Sequence, residues 1–136
     1  MRIALGAIAI VLGLAATAAA QPKIKTEPVK PVAASDAAGM FQSYCSACHG
    51  KDAKGNGPAA AAMTKKPADL TKISARNGGV FPDVKVARYI EGLDEVPAHG
   101  SRDMPMWGDL FNSLDRNVAQ IRVQALSDYL KGLQQQ

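Results

Sequence analysis

The sequence predicts an all-α domain, and three observations carry that expectation. Apolar residues recur at three- and four-residue spacing in stretches near 36–47, 83–92 and 115–133. No β-rich alternating run lies between them. The only two cysteines fall in Cys45-Ser46-Ala47-Cys48-His49, directly after an alanine-rich, helix-favouring segment. Cys-x-x-Cys-His reads as a covalent attachment pattern for c-type haem. Each thiol can form a thioether with one porphyrin vinyl group, and the imidazole of His49 can bind the iron.

Other readings of the motif are weaker. A disulfide between Cys45 and Cys48 would close a tiny loop and stabilise little. A thioredoxin-like redox pair wants a preceding strand and a βαβ pattern, which the flanking sequence lacks. Zinc wants about four ligands; Cys45, Cys48, His49 and His99 could supply them, but the adjacent Cys48 and His49 would have difficulty meeting one tetrahedral ion. Gly50 to Gly57 faintly resembles a phosphate-binding loop, without the Lys-Ser/Thr after the glycine or the strand before it.

Length bounds the chain to one small domain with short extensions. Such a domain buries a modest core for its surface, and a covalently held porphyrin would add a large apolar body to pack around. The formal charge is +4, and removal of Arg2 with a leader would lower it to +3. That is too weak a basic balance for nucleic-acid binding, and no basic stripe interleaved with aromatics supports it.

Residues 1–20 read as a signal peptide: Arg2 is the positive start, Ile3 to Leu14 the apolar run, and Ala18-Ala19-Ala20 the cleavage site. The alternative is an uncleaved anchor, since the uncharged run is almost long enough to span a bilayer. Either way the domain is expected in the bacterial periplasm. Residues 21–34 carry Pro22, Pro28 and Pro31 among lysines and read as an extended tether. The folded domain is expected over 35–136.

Ser35 is the expected N-cap of a first helix over about 36–47, with Met40, Phe41, Tyr44, Cys45 and Cys48 on its inner face. Gly39 would allow a second helix to cross closely. Residues 50–69 read as a loop wrapping the histidine side of the haem. Asp69 is expected to cap a short helix over 70–76, stopped by Gly78 and Gly79. A helix over 83–92 should bury Val84, Ala87, Ile90 and Val86 and end at Gly92. Residues 93–105 are polar and irregular. A short helix near 107–112 precedes the last helix, from Asp115 to about Leu133. The expected buried stripe of that last helix is Val118, Ile121, Ala125, Leu126, Tyr129, Leu130 and Leu133.

A ligating histidine usually donates its other ring N–H to a carbonyl or carboxylate. The carbonyl of Pro58 is the candidate acceptor, with a plain turn proline as the alternative. The second axial position decides function: a thioether closes the iron for electron transfer, whereas an open position suits gas binding or peroxide chemistry. Met104-Pro105-Met106-Trp107 offers two sulfurs, Met104 and Met106, and geometry must choose between them. His99 is a further possible ligand, although a loop histidine needs no such role.

The motif at 45–49, Gly57-Pro58, Met104-Pro105-Met106-Trp107-Gly108 and Tyr129-Leu130 together resemble the class I bacterial cytochromes c, over about residues 36–133. The resemblance implies an all-α fold with crossing N- and C-terminal helices around one haem c. It implies His49 and Met104 as the iron ligands, Cys45 and Cys48 as the thioether residues, and Pro58 as the carbonyl donor to the axial histidine. Trp107 could pack on the haem or bond a propionate, with ordinary core packing as the alternative, and Arg88 and Arg102 are candidate propionate partners, with solvated surface as the alternative for both. The implied function is reversible one-electron transfer with no substrate bond made or broken. Partners would be redox proteins: a dehydrogenase, oxidase or reductase. Lys51, Lys54, Lys65, Lys66 and Lys72 could steer an acidic partner. The rival functions are a haem enzyme or gas sensor with an open sixth site, and a membrane-anchored subunit feeding electrons into a larger dehydrogenase or oxidase. Membrane contact is expected only if residues 1–20 are retained.

Overall fold

A computed structural model describes residues 31–94 and 104–135. The described residues form helices, turns and loops and no strand, as an all-α domain requires. The signal peptide, most of the tether, His99 and Arg102 lie outside the described residues.

Helix α1 (Ala37–Met40) runs into a π-helical turn (Phe41–Cys45) and on into α2 (Ser46–His49). The cap is Asp36 rather than Ser35: its carboxylate accepts the Gly39 N–H at 2.8 Å. This adds to the expected role of Gly39. A Cβ there would collide with the Asp36 carboxylate, so the glycine makes room for the cap on a helix that also packs on the last one. π-helical turns occur mostly as single-turn insertions and often at functional sites. Here the turn ends on Cys45, the first residue of the motif.

Four carbonyls at the end of a helix lack partners within it. In α2 the following loop supplies all four. Gly50, Ala59, Gly57 and Gly55 donate their N–H groups to the carbonyls of Ser46, Ala47, Cys48 and His49, at 2.9, 2.9, 3.1 and 2.7 Å. The loop over residues 50–69 thus folds back over the motif, as expected of a segment that wraps it. Gly57 is required by close approach: a Cβ at that position would overlap the Ser46 and Ala47 carbonyls.

Asp69 caps the next element as expected, accepting from the N–H and hydroxyl of Thr71 at 2.9 and 2.6 Å. A 3-10 turn (Leu70–Lys72) leads into α3 (Ile73–Arg76). Helix α4 (Asp83–Glu91) ends on Gly92 in the left-handed conformation, with φ +83°. Helices α5 (Trp107–Leu114) and α6 (Ala119–Gly132) complete the domain.

Met40, Phe41, Phe111 and Leu126 are almost wholly buried at the centre. Helix α6 packs on α1, α4 and α5, and its Tyr129 ring meets Phe41 with centroids 5.4 Å apart. Two expected core residues face outward: Val84 is 75% exposed and Ile121 56% exposed. The last helix starts four residues later than expected. Asp115 is extended, and its carboxylate accepts the Asn117 N–H at 2.9 Å in a turn that competes with helix. The buried stripe of α6 is accordingly Ala119, Arg122, Val123, Leu126, Ser127 and Leu130. Ala125, Tyr129 and Leu133 flank it, half-buried against the core.

Packing begins at Val32, before the expected domain boundary. Its N–H donates to the Tyr44 hydroxyl at 3.1 Å, and the buried Arg122 guanidinium donates to its carbonyl. The same guanidinium nitrogen lies 3.6 Å from the Met40 sulfur.

Candidate functional site

Cys45 and His49 are four residues apart and line one cavity of ≈ 370 Å³. That volume falls within the roughly 300–1,000 Å³ of small-molecule and cofactor pockets. Its walls are mainly apolar, built from Phe41 of the π turn, Leu70 and Ile73 of the middle segment, Val86 and Ile90 of α4, and Leu126 of α6. The π turn, α2, the 3-10 turn, α3, α4 and α6 each contribute to the wall, and α5 packs behind α4 and α6. Cys48 is half-buried and is not among the residues that line the cavity, and neither cysteine is in a disulfide.

The Nδ1 of His49 lies 3.0 Å from the carbonyl oxygen of Ala68. Ala68, and not Pro58, is therefore the backbone acceptor. Pro58 is exposed and does not line the cavity. The reason is the path of the loop: residues 57–59 are committed to closing the end of α2, and the chain returns to the imidazole only at Ala68, where Leu70 N–H anchors it to the Ala53 carbonyl at 2.7 Å. With Nδ1–H donating to Ala68, the lone pair of Nε2 is left for a metal. Burial lowers the His49 pKa below its ordinary value, and the Ala68 hydrogen bond opposes that shift.

Burial, reinforced by the neighbouring Cys48, pushes the Cys45 thiol up to about 12. Reactive and redox-active cysteines have lowered pKa values and electropositive surroundings. The site does the opposite, which weighs against a dithiol redox pair. Among the described residues, no three of His, Cys, Asp and Glu are grouped to hold a metal ion, so Cys45, Cys48 and His49 do not converge as a zinc site.

Met104 lines the same cavity as His49; Met106 does not. Met106 is 40% exposed. It packs over the end of α4, where a Cβ placed on Gly92 would come 2.6 Å from its Cγ. Trp107 is turned to an aromatic cluster, with ring centroids 5.7 Å from Tyr44 and 6.4 Å from Phe111, and it is absent from the cavity wall. Arg88 is paired with Asp94 at 2.7 Å, outside the cavity. That carboxylate raises the Arg88 pKa further. Lys51, Lys54, Lys65, Lys66 and Lys72 are all exposed.

Among the contributors sequence reasoning missed are the Ala68 carbonyl and the side chains of Arg76, Lys85 and Tyr89; Ala68, Arg76, Lys85 and Tyr89 all line the cavity. Ala68 has no side-chain signal to find. Lys85 had a faint one, as a polar position next to the buried Val86 of α4; Arg76, on the four-residue α3, had none.

An apolar enclosure lined by an N–H-anchored histidine, a thioether and the thiol of Cys45, with Cys48 three residues on, suits a covalently held haem. The class this fold and site define is the c-type cytochrome domain. Residues 32–122 match the family described as cytochrome c oxidase, cbb3-type, subunit III, and the chain belongs to that family. No curated protein and no solved structure matches the chain.

Proposed function

We propose that the protein is a one-electron carrier with a single haem c, working outside the cytoplasm. The observation that carries this reading is that His49 and Met104 line one apolar cavity beside Cys45. In this reading Cys45 and Cys48 hold the haem covalently, and His49 and Met104 ligate its iron. The bound haem supplies the Fe(III)/Fe(II) couple. The Ala68 carbonyl fixes the tautomer of His49 and raises its basicity. The thioether of Met104 raises the potential. The apolar wall keeps water from the iron and disfavours the extra charge of the ferric state.

The test is the visible spectrum of the matured protein in both redox states, with the mass of the adduct. One haem and a far-red thioether band in the oxidised form, lost in Met104→Ala, support the reading. Tight carbon monoxide binding by the untreated reduced protein would instead favour an open-site sensor or enzyme.

A second reading is a subunit that passes electrons into a terminal oxidase, anchored by an uncleaved segment 1–20. The description of its family favours it. Among the described residues no helix is long and apolar enough to cross a membrane, so the reading rests on residues 1–20. Mass spectrometry of the mature chain distinguishes a retained segment from a cleaved one.

A further inference from the structure

We propose that Arg76 and Lys85 are the cationic partners of the two haem propionates. This rests on the haem reading above and assigns the acidic end of the cofactor to residues of this chain.

The argument begins with charge in an apolar cavity. Among the described residues, the titratable or charged side chains on its wall are Cys45, His49, Arg76, Lys85 and Tyr89; no carboxylate is among them. Neither Arg76 nor Lys85 has a carboxylate within ion-pair distance among the described residues. The contrast with their neighbours is direct. Arg88 on the same helix is satisfied by Asp94, and Lys131 is satisfied by Asp83 at 2.9 Å. The two unpaired cations thus face the site from α3 and α4, elements other than the one carrying the thiols. A c-type haem has its vinyl groups on one edge and its propionates on the other. Once the vinyl edge is tied to the thiols of the motif, the acid edge must be met by other elements.

Arg76 is also pre-positioned. Its Nη2 donates to the Asp69 carbonyl at 2.7 Å. The preceding carbonyl, that of Ala68, accepts from His49. Two consecutive carbonyls therefore orient the axial imidazole and the guanidinium. Their direction is set by the Asp69 carboxylate, which is occupied with the Thr71 N–H and hydroxyl. A planar guanidinium with donors left over after one carbonyl bond suits a carboxylate. Lys85 adds a point charge from α4.

The test uses matured protein carrying Arg76→Gln, Lys85→Gln or both, with Arg88→Gln as the control outside the cavity. Adduct mass and the far-red thioether band first establish that haem and ligation are intact. Removing a cation beside a propionate stabilises ferric iron, so the midpoint potential of both single variants should shift down, and further in the double variant. A propionate without its cation has a raised pKa, so the variants should gain a pH-dependent potential in the neutral range. Arg76→Lys, which keeps the charge, should restore most of the potential, and Arg88→Gln should move it least. Potentials and pH profiles matching the parent protein, or shifts no larger than that of Arg88→Gln, overturn the assignment while leaving the haem reading standing. A parent protein that carries no haem overturns both.

Discussion

The site turns on a few backbone and side-chain atoms placed to within a hydrogen bond. Met104 lines the cavity and Met106 covers the end of α4, although only Pro105 separates them. The expected outcome is that Met104→Ala abolishes the far-red band and lowers the midpoint potential, while Met106→Ala keeps both; spectra and redox titration check this. Asp69 gives a pH prediction. The Thr71 side-chain hydrogen bond, first among several causes, holds its carboxyl below the ordinary value. A depressed folded pKa stabilises the fold above the unfolded value, and that stability is lost as pH falls through the folded value. Asp69→Asn, which keeps a capping oxygen, should therefore flatten the acid limb of stability against pH in denaturant titrations, whereas Asp69→Ala, which removes the cap, should cost about 1 kcal/mol near neutrality.

At the scale of elements, α2 and its loop form one closed unit, because every free carbonyl at the end of the helix meets an N–H of residues 50–59. Gly57→Ala places a methyl against the carbonyls of Ser46 and Ala47. Overpacking of that kind should cost about 1–3 kcal/mol, seen as a lower denaturant midpoint of the matured protein. The helical stretches, the start signal Asp69 and the stop signal Gly92 were legible because caps and periodicity act within a few residues. The face of α6 was not. Its apolar residues nearly encircle the helix, and Ile121 and Val123 differ only in which one meets α1, α4 and α5. The turn at Asp115 chose the start, and the start set the rotation.

For the molecule as a whole, the cavity stands where a small domain would otherwise have core. Left without its cofactor, a cavity of ≈ 370 Å³ would leave its apolar wall without packing partners, at a cost in stability. A variant with Cys45→Ser and Cys48→Ser should therefore lose near-ultraviolet circular dichroism and cooperative melting along with its haem. The exposed lysines at 51, 54, 65, 66 and 72 lead to a further expectation: electron transfer to an acidic partner should slow steeply as salt is added, and a flat response in stopped-flow measurements would exclude steering. The primary structure alone determined the helical class, the Cys45-Ser46-Ala47-Cys48-His49 motif and the two candidate sulfurs, because spacing along a chain is local information. Only the tertiary structure decided that Ala68 meets His49, that Met104 lines the cavity, and that Arg76 and Lys85 line it with no carboxylate in ion-pair distance among the described residues. Those contacts join residues up to 55 positions apart in the chain, as with His49 and Met104, and such distances close only through packing.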